Sequence, residues 1–138
     1  FGLLSFLIMQ LLYIRIFWKD CPQPTKGFVF QKPWIVMLLL GVHLSVMFSV
    51  WEHLGAMQIP VAVYSIVILG MVLTAINRIG TVADATQVAI GAVLFMISDG
   101  LIAITKFGSS FSYRRFCVML TYILAQFLIL KGRQALKE

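Results

Sequence analysis

Five long stretches of apolar residues, separated by short polar segments, dominate the pattern of this chain. They cover residues 1–18, 33–50, 60–76, 87–105 and 113–130, and each is 17–19 residues long. A helix needs about 20 predominantly apolar residues to cross a bilayer. Lipid offers no hydrogen-bond partner to the backbone, so a spanning segment of this kind must be helical. The pattern therefore predicts five transmembrane helices.

The composition supports the same fold class. Hydrophobic residues make up 61% of the chain and charged residues 12%, whereas a soluble domain has about 45–50% and about 25%. The connections are short, which predicts antiparallel neighbours. We predict an all-α, polytopic transmembrane bundle in which residues 1–138 form a single domain. Because the sequence opens inside an apolar run without an initiator Met, we expect the C-terminal part of a larger bundle.

The net charge of +6 does not indicate nucleic acid, because the basic residues lie at the ends of apolar runs, where lipid headgroups would meet them. We expect membrane lipids as partners, and no nucleic acid. One end of the predicted bundle has seven basic residues, Lys19, Lys26, Lys32, Arg78, Lys131, Arg133 and Lys137, and the other has three, Lys106, Arg114 and Arg115. Since cytoplasmic loops are rich in Lys and Arg, the C-terminus of this multi-pass protein is predicted to be cytoplasmic.

Asp99 is the most informative single residue, because it lies inside the fourth apolar stretch. A carboxylate at that depth costs about 2.5–3.5 kcal/mol on insertion scales and usually faces a bundle interior or a cavity. Desolvation favours its neutral form, and a neutral buried carboxylic acid is a suitable general acid. The alternative is a structural Asp that is hydrogen-bonded to a neighbouring helix.

Helical spacing places more polar side chains within the spans. Tyr122 and Gln126 share a face of the fifth helix, and Gln10 and Tyr13 share a face of the first. We expect these side chains to converge on Asp99 in one cavity. The alternative is hydrogen bonding between helices, which contributes about 0.6 kcal/mol for an average pair.

Three basic residues flank the end of the span that is nearest to Asp99. Lys106, Arg114 and Arg115 could hold a lipid phosphate through charge-assisted hydrogen bonds, although general anchoring to headgroups is the alternative. His43, inside the second span, is expected to be hydrogen-bonded to a neighbouring helix. The sequence contains no zinc motif, phosphate loop or nucleophile elbow.

Four segments together resemble a known family. Residues 91–103, GAVLFMISDGLIA, and residues 121–129, TYILAQFLI, carry the more specific elements, Ser-Asp and Tyr-x-x-Ala-Gln. Residues 2–14 and 60–71 agree in the same order along the chain. On these segments the chain resembles the YhhN-like lysoplasmalogenase family of membrane proteins, in which about eight helices are expected.

The resemblance implies hydrolysis of the vinyl ether bond of lysoplasmalogen, a lysophospholipid, to a fatty aldehyde and a glycerophospho-alcohol. It implies a pair of intramembrane aspartates, of which Asp99 matches the second, and no metal or organic cofactor. Tyr122 and Gln126 would then orient Asp99 or the attacking water. The family's first aspartate lies in a Gly-Asp motif that this sequence does not contain, and Gln10 stands where a His is usual.

Substrate binding is expected from residues on several of the predicted helices and at one bundle end. They are Gln10, Tyr13, Tyr64, Lys106, Arg114 and Arg115. Two other functions remain open from the sequence. One is a non-catalytic accessory or structural subunit of a larger membrane complex. The other is a small lipid-binding or transport protein that uses the same polar cavity.

Overall fold

The part of the chain that the structure describes contains five long helices, as the sequence predicts. The computed structural model describes residues 2–107 and 112–134, and within these ranges the helices that are long and apolar enough to cross a membrane number five. They are α1 (Gly2–Asp20), α3 (Trp34–Trp51), α4 (Gln58–Asn77), α5 (Ala85–Phe107) and α6 (Arg114–Gln134). Each observed boundary lies within four residues of the predicted one. The chain is an all-α, integral membrane protein.

Proline and glycine shape the connections between the helices. Residues 21–33 contain a 3-10 turn, Pro24–Lys26, and a single helical turn, α2 (Phe28–Gln31). A second 3-10 turn, Gly55–Met57, leads into α4. The turn between α4 and α5 uses left-handed backbone at Gly80 (φ 81°), a conformation that glycine adopts without steric cost. These short links reverse the chain, so that consecutive spans run antiparallel.

The helices differ in how much of their surface is covered by protein. α4 lies at the centre, between α1, α3 and α5, and α6 packs chiefly on α5. The main core is formed by residues of α4 and α5 together with Phe17 of α1, Leu39 of α3, and Ala125 and Ile129 of α6. Large apolar side chains such as Phe48 on α3, which is 87% exposed, point outward. An outward-facing apolar surface of this extent suits contact with lipid.

One end of the bundle carries a charged cluster, and we call it the basic end. Asp20, at the end of α1, lies 3.7 Å from Arg78 and 3.4 Å from Arg133. The Arg78 guanidinium is fully buried and stacks over the ring of Phe17 at 5.0 Å. The opposite end, where α3 ends at Trp51 and α5 ends at Phe107, contains a cavity, and we call it the cavity end. Lys137 lies outside the described residues.

Candidate active site

An apolar cavity of about 480 Å³ occupies the cavity end of the bundle. Its walls come from the beginning of α1, the second half of α3, the beginning of α4 and the second half of α5. This volume is within the range of small-molecule sites, about 300–1,000 Å³. Most of the lining is aliphatic or aromatic. The polar side chains in the lining, within the described part of the chain, are His43, Tyr64, Ser65, Asp99 and Lys106.

Asp99 is held in this cavity by a hydrogen bond from Tyr64. The Tyr64 hydroxyl donates to Asp99 Oδ2 over 2.7 Å, which joins α4 to α5. Tyr64 is 9% exposed, and Asp99 is partly buried. The small residues Gly100 and Ala103 also line the cavity, together with larger apolar side chains of α5 such as Ile97. A carboxyl group is therefore presented to an apolar space that is wide enough for a ligand.

Gln10 approaches the same pair from α1. It is completely buried, and neither of its amide atoms has a hydrogen-bond partner among the described residues. Gln10 does not line the cavity itself. The predicted substrate-binding residue is therefore buried inside the bundle and is not part of the cavity wall.

The expected convergence on Asp99 is wrong for Tyr13 and Gln126. The Tyr13 hydroxyl donates to Gln126 Oε1 over 3.1 Å, and the Gln126 amide reaches the Met9 sulfur at 3.9 Å. These contacts join α1 to α6 outside the cavity. The arrangement follows from the helix order, because the described lining of the cavity includes α1, α3, α4 and α5 but no residue of α6, which packs chiefly on α5.

Tyr122 lies behind an aromatic part of the cavity wall. Phe6 lines the cavity and packs edge-on against the Tyr122 ring, with ring centroids 6.0 Å apart. Phe95 completes this cluster, 5.7 Å from Tyr122 and 6.4 Å from Phe6. Tyr122 is therefore in contact with the wall and does not line the cavity, and among the described residues no hydrogen bond joins it to Asp99.

The three basic residues at this end are divided between two sites. Lys106 lines the cavity, on the same face of α5 as Asp99 and two turns closer to the membrane surface. Arg114 and Arg115 line a separate, shallower depression of about 260 Å³ that also includes Ile102. Only Lys106 among the three is therefore placed to contact a ligand that also reaches Asp99.

The structure adds His43 and Ser65 to the residues found from the sequence. The Ser65 hydroxyl donates to the backbone carbonyl of Ala62, so it is satisfied within its own helix. His43 was expected to be hydrogen-bonded to a neighbouring helix, but no described residue forms such a bond with it. The signal that could have identified it was its position, because ionisable residues within a span mark functional sites by default.

Similar proteins share a single activity name. Lysoplasmalogenase TMEM86B of Homo sapiens is 30% identical over 132 residues, which is 93% of this chain and 50% of that protein. The lysoplasmalogenases of Mycobacterium bovis and Mycobacterium tuberculosis are each 33% identical over 137 residues, 96% of this chain and 49% of theirs. The chain therefore spans about half the length of these curated relatives. No solved structure matches it. The YhhN family profile matches residues 1–133.

Proposed function

The chain belongs to the YhhN family, and on that premise we propose that its cavity hydrolyses the vinyl ether bond of lysoplasmalogen, giving a fatty aldehyde and a glycerophospho-alcohol. The observation that carries the proposal is the Asp99–Tyr64 hydrogen bond at the wall of an apolar cavity inside a membrane protein. The names of the relatives, which are all lysoplasmalogenases, support the same reaction.

The chemistry requires an acid in a place from which bulk water is largely excluded. A vinyl ether is cleaved by adding a proton to the alkene carbon remote from oxygen, which leaves an oxocarbenium ion that water attacks. Asp99 in its neutral form supplies that proton, and its carboxylate then stabilises the cation, as paired carboxyl groups do in glycoside hydrolysis. Tyr64 holds Oδ2 and so turns the other carboxyl oxygen, Oδ1, toward the substrate.

The distance between Asp99 and Lys106 suits the length from the vinyl ether to the phosphate of a single-chain phospholipid. The two residues are seven positions apart on one helical face, which separates them by about 10 Å along the axis. With the phosphate at Lys106, the glycerol unit would lie over Gly100 and Ala103, and the vinyl ether would lie beside Asp99. The alkyl chain would continue into the apolar part of the cavity, between Phe6 and Ile68.

The remaining predicted residues have supporting roles in this proposal. Tyr122 fixes Phe6 in the wall, and Gln10 lies in the buried interior of the bundle. Tyr13 and Gln126 fasten α1 to α6. We also propose that the C-terminus is cytoplasmic, because six of the seven basic residues assigned to that side lie at the basic end in the described structure. The cavity then opens toward the opposite leaflet.

Aldehyde release from lysoplasmalogen by the purified protein in mixed micelles tests the function. Asp99→Asn removes the transferable proton at constant size and should lower the rate by about 100-fold or more. Asp84→Asn is the matched control, because Asp84 is exposed in the α4–α5 turn with φ 54°, a conformation that Asn also adopts. We expect this control to retain full activity.

Two outcomes would contradict the proposal. A well-folded wild type that releases no aldehyde, or an Asp99→Asn variant as active as the control, excludes this reaction at this site. The apolar cavity also favours a second function, lipid binding without turnover. Retention of intact lysoplasmalogen by an inactive wild type would support that function.

A further inference from the structure

His43 is an ionisable side chain in a helix that is otherwise entirely uncharged. α3 carries no other ionisable residue between Trp34 and Trp51, and the imidazole is partly buried. It lines the cavity, and its ring nitrogens form no hydrogen bond with any described residue. A polar group costs free energy in an apolar environment unless it finds a partner. The imidazole is therefore free to bind what enters the cavity.

His43 and Asp99 line the same cavity from two different helices, α3 and α5. Each residue is eight positions before the end of its helix at the cavity end, or about 12 Å along the axis. Gly100, next to Asp99, and Val46, one turn after His43, line the cavity as well, and a Cβ on Gly100 would lie 3.8 Å from the Val46 side chain. A ligand in the cavity can therefore contact Asp99 on α5 and His43 on α3.

The proposed reaction needs a second proton-transfer group in this position. After Asp99 has given its proton to the alkene, water must bond to the carbon that carries the ether oxygen, and that water must lose a proton. A neutral imidazole has one nitrogen that can accept it. Two other ionisable groups line the cavity, and both have other roles in the proposal. Tyr64 donates its hydrogen bond to Asp99, and Lys106 binds the phosphate near the membrane surface.

We infer that His43 is the general base that activates the attacking water, a role that rests on the proposed function. The water oxygen bonds to the oxocarbenium carbon while its proton passes to the imidazole, which gives a hemiacetal. The imidazolium then protonates the glycerol oxygen as the carbon–oxygen bond breaks, and the hemiacetal hydroxyl returns its proton to Asp99. Aldehyde and glycerophospho-alcohol leave, both residues are restored, and no oxidant or reductant is needed.

Deuterium exchange into the substrate distinguishes this role from a structural one. Wild type, Asp99→Asn and His43→Gln are incubated with lysoplasmalogen in D₂O, and aldehyde release and deuterium in the recovered substrate are measured. Without its base, water captures the cation slowly, so the first protonation reverses. His43→Gln should release aldehyde about 100-fold more slowly and return substrate with deuterium on the vinyl carbon remote from oxygen. Wild type and Asp99→Asn should return unlabelled substrate.

The controls separate failure of this inference from failure of the function. His53→Gln, in the exposed loop after α3, should behave as wild type, and His43→Asn serves as a second variant should His43→Gln unfold. A His43 variant within twofold of the wild-type rate, or a slow variant whose substrate stays unlabelled, overturns the inference alone. A folded wild type that releases no aldehyde overturns the proposed function and the inference with it.

Discussion

The two ends of the bundle contrast in packing, although both are built from the same helices. At the basic end the backbones of α5 and α6 approach so closely that a Cβ on Gly91 would lie 2.9 Å from the carbonyl oxygen of Ala125. At the cavity end a Cβ on Gly100 would meet nothing closer than Val46 at 3.8 Å. Glycine permits contact between helices at one end and leaves open space at the other.

Polar groups are used differently at the two ends. At the basic end the Asn77 amide donates to the carbonyl of Pro24 over 2.7 Å and accepts from the Val29 N–H over 3.2 Å, which fastens the connection before α3 to the end of α4. At the cavity end the side chains of His43 and Lys106 form no hydrogen bond with any described residue. Asn77 thus helps to hold the fold together at the basic end, while His43 and Lys106 line the cavity without such bonds.

The largest effect that would test this contrast is expected from Asp20→Asn. The change leaves the fully buried Arg78 without its counter-charge, and removing one partner of a buried ion pair is strongly destabilising. Burial lowers the pKa of Arg78, and the Asp20 carboxylate raises it in part. The charged form of Arg78 therefore depends on Asp20 for stabilisation. Since Asp20 is partly exposed, we expect a loss of about 2–3 kcal/mol in unfolding free energy, measured by denaturant titration in micelles.

Two further variants serve as comparisons for the stability loss of Asp20→Asn. Arg133→Gln breaks the second contact of Asp20, but this side chain is 34% exposed, so the loss should stay below about 1 kcal/mol. Glu52→Gln, in the exposed loop at the cavity end, should have no measurable effect. Equal losses for Asp20→Asn and Glu52→Gln would show that the basic end does not anchor the bundle.

A pair of identical substitutions sharpens the comparison directly. In Gly91→Ala the new Cβ meets the backbone of α6, which cannot move aside, so we expect a destabilisation of about 1–2 kcal/mol. In Gly100→Ala the new Cβ makes ordinary contact with Val46, so stability should be unchanged or slightly higher. Thermal unfolding of both variants in the same detergent measures the difference. Equal midpoints would mean that the two ends are packed alike.

The smallest effect separates the two tyrosines that were expected at the site. Tyr64→Phe removes the hydrogen bond to Asp99, and a bond worth about 1–1.5 kcal/mol corresponds to a roughly tenfold lower rate of aldehyde release. Tyr13→Phe removes a bond of similar type, to Gln126, outside the cavity. Its rate should change less than twofold. A larger loss for Tyr13→Phe than for Tyr64→Phe would place the reaction in the α1–α6 contact instead.

Much of the fold was predictable because a bilayer restricts the possibilities. Each stretch of 17–19 apolar residues had to form a helix in lipid, and all five are helices long and apolar enough to cross a membrane. The prediction was also correct in placing Asp99 at a cavity wall. It was wrong in bringing Tyr13 and Gln126 to that cavity, since helical spacing shows which residues share a face but not which helix that face meets.

By itself the sequence determined the spans, their antiparallel order and the presence of a carboxyl group at membrane depth, because burial in lipid makes each of these depend on local composition. The tertiary structure alone decided that Tyr64 holds Asp99, that His43 lines the same cavity and that Tyr122 lies behind Phe6. These relations depend on the rotation and tilt of whole helices, which are set by packing against neighbours and leave no pattern in the order of residues.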